Sequence, residues 1–509
     1  MQTVEQYKVF TIELSGTAEG NPYEDVQLSA RFAQTDGADA VEAAGFYKGD
    51  GAYAINFMPG LPGTWTYAVA SNDPALDGVG GTFDVTPASE GNHGRVLRSR
   101  DVLPREQPFG TENDFTFSYE DGTPFLPFGT TCYAWVNQEP AVQEQTLATL
   151  AANAFNKVRM CIAPKFYDYN HDDPALFMYE GSMADGFDHR RMNEAFWSNF
   201  EHRVAQLDEL GIQADIILLH PYDKPEWGFA KMSTEDDIFL LTYVARRLSA
   251  YKNVWWSLAN EFDLLPWKSV EDWDRYARIV MANDPYGHLR SIHNCREIFD
   301  HSHPWITHVS WQRCDLQRTA ECVTDLRAQY GKPVLVDEVG YEGNINWGWG
   351  NLTAEEEVRR FWEGVLRGGY VTHGETYVDR GPKIWWAHGG ELYGDSPARI
   401  AFCRKYMEAL PAGMDWVDGN KVGVLLGTFT WDVTCMADKR GAGVDDVLMY
   451  FGFFRPAYRE FTGAEGKRYT VDVIDTWNMT VETLPGTFEG TFRIDLPSRQ
   501  YMMVRLRTV

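Results

Sequence analysis

Hydrophobic and polar positions change their rhythm twice along the chain. Short runs alternate with period two over residues 5–86: Val9–Leu14, Val26–Phe32, Tyr53–Phe57 and Thr64–Val69, separated by Gly, Pro and Asn turns. That texture predicts a small Ig-like β-sandwich over 1–86, followed by a polar joint over 87–110. From about Phe115 apolar strands alternate with amphipathic helical patterns. The expected strands are Leu126–Thr130, Lys157–Cys161, Gln213–Leu219, Val254–Leu258, Arg290–His293, Thr307–Ser310, Val334–Asp337 and Tyr370–Thr372. Eight strands, each followed by a helical or helix-like segment, predict a (β/α)8 barrel over 111–412.

Helix punctuation agrees with that division. Ser233 with Asp236, Ser269 with Asp272 and Thr353 with Glu356 have capping-box spacing, and Gly211, Gly331 and Gly368 stand just past helix ends. No GxGxxG follows the first strand, which disfavours a doubly wound open sheet. After Pro411 short strands return (Val422–Leu426, Val447–Phe451, Tyr469–Asp475, Gly490–Leu496, Tyr501–Arg507), predicting a second β-sandwich over 413–509. The expected fold class is therefore multidomain α/β, a central barrel with a β-sandwich on either side.

Composition narrows the partners. With 46 Lys+Arg against 73 Asp+Glu the formal charge is −27, which repels phosphate backbones and anionic lipid headgroups. No nucleic acid or membrane partner is expected. The N-terminus lacks a basic and apolar leader pattern and no apolar run approaches a membrane span, so the expectation is a cytoplasmic protein. Cys132, Cys161, Cys295, Cys314, Cys322, Cys403 and Cys435 form no CxxC or Cys/His cluster, and neither metal nor cofactor is expected. Tryptophan is frequent, 18 of 509 residues, and its rings stack on sugars as well as filling cores.

In such a barrel the chemistry projects from the C-terminal strand ends. The first polar or aromatic positions there are Tyr133 and Trp135, Arg159, His220, Asn260 and Glu261, His293, His308 and Trp311, Glu338, and Glu375. Two carboxylates each end a buried apolar run, Val254–Glu261 and Pro333–Glu338. A charge at the rim of a low-dielectric core is costly unless partnered. Lying three βα units apart, Glu261 and Glu338 would face each other across the barrel mouth. Displacing a glycoside through an oxocarbenium-like transition state needs one protonated and one ionised carboxyl, so the pair points to glycoside hydrolysis. Trp347, Trp349, Trp385 and Trp386, in the loops after strands 7 and 8, are candidate sugar platforms.

Arg in strand 2, His after strand 3, Asn-Glu after strand 4, His before an aromatic at strand 6 and Glu ending strand 7 together resemble the retaining, family-5-like glycoside hydrolases of clan A. The layout of a small sandwich, Asp121-Gly-Thr-Pro-Phe125 leading into the barrel, and a terminal sandwich resembles the bacterial apiosidase-like type. The resemblance implies Glu261 as general acid/base, Glu338 as nucleophile held ionised by Arg159, Asn260 on the neighbouring sugar hydroxyl, and His220 and His308 shaping the subsite. It also implies a tyrosine two residues after His308, where Ser310 stands instead. The functional expectation is a retaining, exo-acting hydrolase of oligosaccharides. The alternatives are a non-catalytic carbohydrate-binding protein or a different hydrolase on the same barrel. The sandwiches are candidate surfaces for a homo-oligomer.

Overall fold

The computed structural model describes residues 2–35, 37, 40–104, 112–313, 318–422, 424, 433–439 and 443–509. Its centre is a parallel sheet of eight strands: β1 (Phe128–Thr131), β2 (Lys157–Cys161), β3 (Gln213–Leu219), β4 (Val254–Ala259), β5 (Arg290–Ser291), β6 (Val309–Gln312), β7 (Val334–Glu338) and β8 (Tyr370–His373). They run in the order β5-β4-β3-β2-β1-β8-β7-β6. The two ends of that order meet, because the Thr307 N–H donates to the Arg290 carbonyl at 2.9 Å. The sheet is thereby a nearly closed barrel.

Helices α1 (Pro140–Ala151), α2 (Glu194–Glu209), α3 (Thr234–Leu248), α4 (Val270–Asn283), α5 (Val323–Tyr330), α6 (Ala354–Leu366) and α7 (Ser396–Glu408) surround it. Ser233, Ser269 and Thr353 each accept the N3 backbone N–H of their helix. Gly331 ends α5 in the left-handed conformation, φ 61°. The expected unit after the fifth strand departs from the rule: residues 292–308 form no helix. That stretch carries Pro304 and has no apolar period. Instead the Asp263 carboxylate accepts the backbone N–H groups of Cys295, Arg296 and Glu297 and holds the turn.

The floor of the barrel is closed from an unexpected source. Strand Val96–Arg98, inside the segment read as a joint, pairs with Phe117–Tyr119, which pairs with Pro124–Phe125. Val96, Phe117 and Phe125 pack there against Trp255, Leu289, Leu335 and Tyr370 at the N-terminal strand ends. Above that plug the interior is ionic. Lys157 Nζ lies 2.7 Å from both Asp215 and Asp337, all of them buried. Such a cluster is tolerated because each charge is paired, and Asp337 also accepts hydrogen bonds from Lys157, Ser310 and Thr372.

On the N-terminal side, a five-stranded and a three-stranded sheet share a core of Phe10, Ile55, Phe32, Trp65 and Phe83. On the C-terminal side, a six-stranded sheet and a two-stranded one share Val471, Val504, Phe461 and Ile494. The other face of the six-stranded sheet packs Met436, Leu448, Tyr450 and Met503 against Trp362 and Ile400 of the barrel helices. The expected strand over Val422–Leu426, like Cys314, falls largely or wholly outside the described residues; Val422 and Val424 lie in this C-terminal core. Among the described residues no helix is long and apolar enough to cross a membrane.

Candidate active site

A cavity of about 790 Å³ opens at the C-terminal end of the barrel, lined by Lys165, Tyr167, Tyr222, Glu261, Cys295, Trp311, Gln312, Glu338, Trp349 and Trp386 among others. Both strand-end glutamates reach it, through local departures from ideal strand geometry. The register between β6 and β7 slips, with Trp311 opposite Val336 but Gln312 opposite Glu338. This bulge sends two consecutive residues, Asp337 and Glu338, into the barrel, where strict alternation would have sent Asp337 outward. Glu261 follows β4 in the left-handed region at φ 52°, a strained conformation for a side chain of its kind and one that clusters at functional sites.

The two carboxyls sit in opposite environments. Glu338, 8% exposed, accepts the Tyr133 hydroxyl proton on Oε1. Arg159 Nη1 and His293 Nε2 each stand 3.5 Å from the same oxygen. Burial alone would raise its pKa, but His293, Arg159 and Lys165 outweigh it and hold the group down to about 2. Glu261, 7% exposed, receives the Tyr222 hydroxyl on Oε2 and Gln312 Nε2 on Oε1 at 2.8 Å. Burial first, then the charge of Glu338, pushes it up to about 7. One carboxyl is thus ionised, while the other is half-protonated at neutrality and protonated below it.

Around them the framework is tightly bonded. Asn260 Oδ1 accepts Arg159 Nη2 at 3.1 Å and lies 3.2 Å from the Tyr133 oxygen. The buried Asn260 Nδ2 has no partner among the described residues and remains available as a donor. His293 reaches through Ser310 (3.0 Å) to Asp337 (2.5 Å), linking Glu338 to the ionic floor. Tyr133 is fixed by its backbone, its N–H donating to the Trp386 carbonyl at 2.9 Å and its carbonyl accepting from Cys161 at 2.7 Å. Its phenol, pushed well above 10 by burial, stays protonated and so acts as the donor.

Several expected site residues lie elsewhere. His308 is below the site, its ring against Phe117 and Trp255, because β6 begins at Val309 and ends two residues later than expected. Its place at the strand end is taken by Gln312. His220 does not line the cavity; its Nδ1 accepts the Tyr222 N–H at 3.2 Å and burial keeps it neutral, so it positions the loop that carries Tyr222. Trp135 is wholly buried in the core and Trp385, also buried, donates Nε1 to Thr130 Oγ1 at 2.8 Å. Trp347 is 50% exposed and outside the cavity lining. Glu375 accepts the backbone N–H groups of Tyr393 and Gly394 and fastens the loop after β8. Trp311 and Trp386 do line the cavity, Trp386 together with Trp349 at a ring-centroid distance of 5.0 Å. Sequence reading passed over Gln312, Tyr222 and Lys165. Only Gln312 carried a usable signal, as the polar residue that a strand Val309–Gln312 would present.

Tyr133→Phe removes the neutral donor to Glu338 while keeping the ring. We expect kcat/KM to fall about 10- to 100-fold, the worth of one to three kcal/mol of hydrogen bonding. Steady-state kinetics should also show the acid limb of the pH profile moving upward, since a stabiliser of the ionised form is lost.

The model of the apiosidase-like catalytic domain family matches residues 111–416. Two domains of unknown function flank it, DUF5060 over 3–72 and DUF5605 over 431–507. A crystal structure of a "putative glycoside hydrolase" from Bacteroides vulgatus ATCC 8482 is 36% identical over 100% of both chains, with a TM-score of 0.89. A family 5 glycoside hydrolase from the same organism is 16% identical over 82% of this chain and 94% of its own, TM-score 0.62, a likeness of fold. No curated protein matches the chain. With more than half its length matched by the family model and a full-length relative at 36% identity, the chain belongs to the apiosidase-like family of glycoside hydrolases.

Proposed function

We propose that this glycoside hydrolase works with retention of configuration, Glu338 attacking the anomeric carbon and Glu261 first protonating the leaving oxygen and then activating water. The observation that carries this reading is the pair of carboxyls in one cavity with their proton affinities driven apart, Glu338 held ionised and Glu261 protonated below neutrality. Asn260 Nδ2 is the donor to the sugar hydroxyl beside the reacting carbon, and Trp386 and Trp349 stack on the ring. Arg159, Tyr133 and His293 hold the nucleophile charged and aimed.

We infer exo action on an oligosaccharide from the way one end of the cavity is walled. The loop after β2 is tied to the loops after β7 and β8, through Tyr169 to Asn346 and through Lys383 to Asp172 at 2.5 Å. Asn344 also bonds Asp379 at 2.6 Å, joining the last two loops. A wall of this kind admits a chain end rather than a chain middle. The flanking sheets are read as β-sandwiches over 1–86 and 413–509 that buttress the barrel.

Proton NMR of the first-formed product, recorded before mutarotation, tests the stereochemistry. The expected product has the anomeric configuration of the substrate, released as a single terminal sugar. Inverted product would replace Glu338 as nucleophile by a base activating water.

A further inference from the structure

One buried cation at the site acts on Glu338 through its charge alone, with no bond to any carboxylate. Lys165, in the loop after β2, is 3% exposed and lines the cavity with Glu261 and Glu338. Its Nζ stands over the rings of Tyr133, Tyr222 and Trp386, at 3.6, 4.3 and 4.6 Å from their centroids. Tyr167 completes the cage at 5.8 Å. Every other buried cation near the site has a carboxylate partner: Lys157 has Asp215 and Asp337, and Arg159 has Glu338. Among the described residues Lys165 has neither an ion pair nor a hydrogen bond: Glu261 and Glu338 act on it only at longer range, and burial lowers its proton affinity.

An ammonium has three donors and is seldom buried unpaired. Ring faces return only part of the desolvation cost of a buried ion. The donors therefore await an acceptor that enters with the substrate. Tyr133 and Trp386 follow β1 and β8, and Lys165 follows β2, so the cage belongs to the walled side of the cavity. In the reading proposed above, on which this inference rests, that side receives the sugar whose anomeric carbon Glu338 attacks. Positive charge grows on that sugar in the transition state. A bare ammonium beside it would oppose catalysis, whereas an ammonium neutralised by an anion on the sugar would not. Nor does the general field of a chain of net charge −27 attract acidic sugars, so their recognition requires a local cation of this kind.

We propose that Lys165 is a specificity-determining residue that binds a carboxylate on the sugar in the cleaved position, making the substrate class a uronoside. The ring faces pack against the sugar and exclude water from the ion pair, and the carboxylate supplies the partner that the fold omits.

The test uses matched aryl glycosides that differ only at C6: glucoside and glucuronide, galactoside and galacturonide, mannoside and mannuronide. Wild type, Lys165→Met and Lys165→Arg are compared, with thermal melting to establish that each variant is folded. We expect at least one uronide to exceed its neutral counterpart by 100-fold or more in kcat/KM. Lys165→Met should collapse that ratio, chiefly through KM, and Lys165→Arg should restore part of it. In parallel, calorimetry with free glucuronate, galacturonate and mannuronate on the Glu338→Gln variant reads binding without turnover. Equal use of neutral and acidic members, a preference that survives Lys165→Met, or failure of all three acids to bind or react would overturn the proposal. Neutral glycosides cleaved in a Glu338-dependent way without uronide activity would sink this inference alone. Lys165-dependent binding of a uronate with no hydrolysis of any glycoside would leave it standing and remove the hydrolytic reading instead.

Discussion

Replacing Glu338 by Gln is expected to abolish turnover, with kcat reduced about 10⁴-fold or more, in the range seen when an essential nucleophile is lost. The amide has the shape of the carboxylate and still meets Tyr133, Arg159 and His293, so the barrel should fold. What it lacks is the negative oxygen that, in the proposed mechanism, forms the glycosyl-enzyme bond. The geometry makes this loss specific: three groups from β1, β2 and the end of β5 converge on a single oxygen, Oε1, an arrangement that serves to keep one charge present. In the wild type, a 2-deoxy-2-fluoro glycoside of an accepted sugar should label one peptide, the one containing Glu338, as read by mass spectrometry. Activity close to wild type in Glu338→Gln on a confirmed substrate would transfer the nucleophile's role to another group.

The parts of this site that were legible in the sequence are those set by strand ends. Glu261 and Glu338 announce themselves because each terminates a run of buried apolar residues, and Arg159 because it interrupts one. A two-residue error at β6 was enough to exchange His308 for Gln312, since neither Thr307–Ser310 nor Val309–Gln312 has a stronger apolar pattern at its limits. The adjacent Trp385 and Trp386 had no sequence signal to divide them, yet the short helix Trp385–His388 turns one into the core and the other to the cavity. Loop residues were the least readable: Lys165 and Tyr222 acquire their roles from rings and carboxyls contributed by four different strands' loops, contacts with no local pattern. The missing tyrosine after the sixth strand has the same explanation. A hydroxyl on the Glu338 carboxylate can come from any strand that reaches it, and here Tyr133, following β1, delivers it.

Glu261→Ala should separate the two halves of the reaction. For a glycoside with a poor leaving group the first step needs the proton that Glu261 carries, so kcat/KM should drop about 10²- to 10⁴-fold, the usual contribution of a general acid. For a dinitrophenyl glycoside the leaving group departs unaided, and kcat/KM should fall far less, with the second step now limiting because no base activates water. Azide, a nucleophile that needs no base, should restore turnover and yield a glycosyl azide of retained configuration. The pH dependence follows from the same asymmetry. In the proposed mechanism wild-type kcat/KM requires Glu261 protonated, and since its pKa is raised to about 7 activity should decline as the pH rises through neutrality. The acid limb requires Glu338 ionised, and its depressed pKa moves that limb far into acid, leaving a plateau below neutrality. Glu261→Ala deletes the group responsible for the alkaline limb, so on the activated substrate the decline above pH 7 should vanish while the acid side persists. An alkaline limb that survives the substitution would mean that a different acid, and not Glu261, donates to the leaving oxygen.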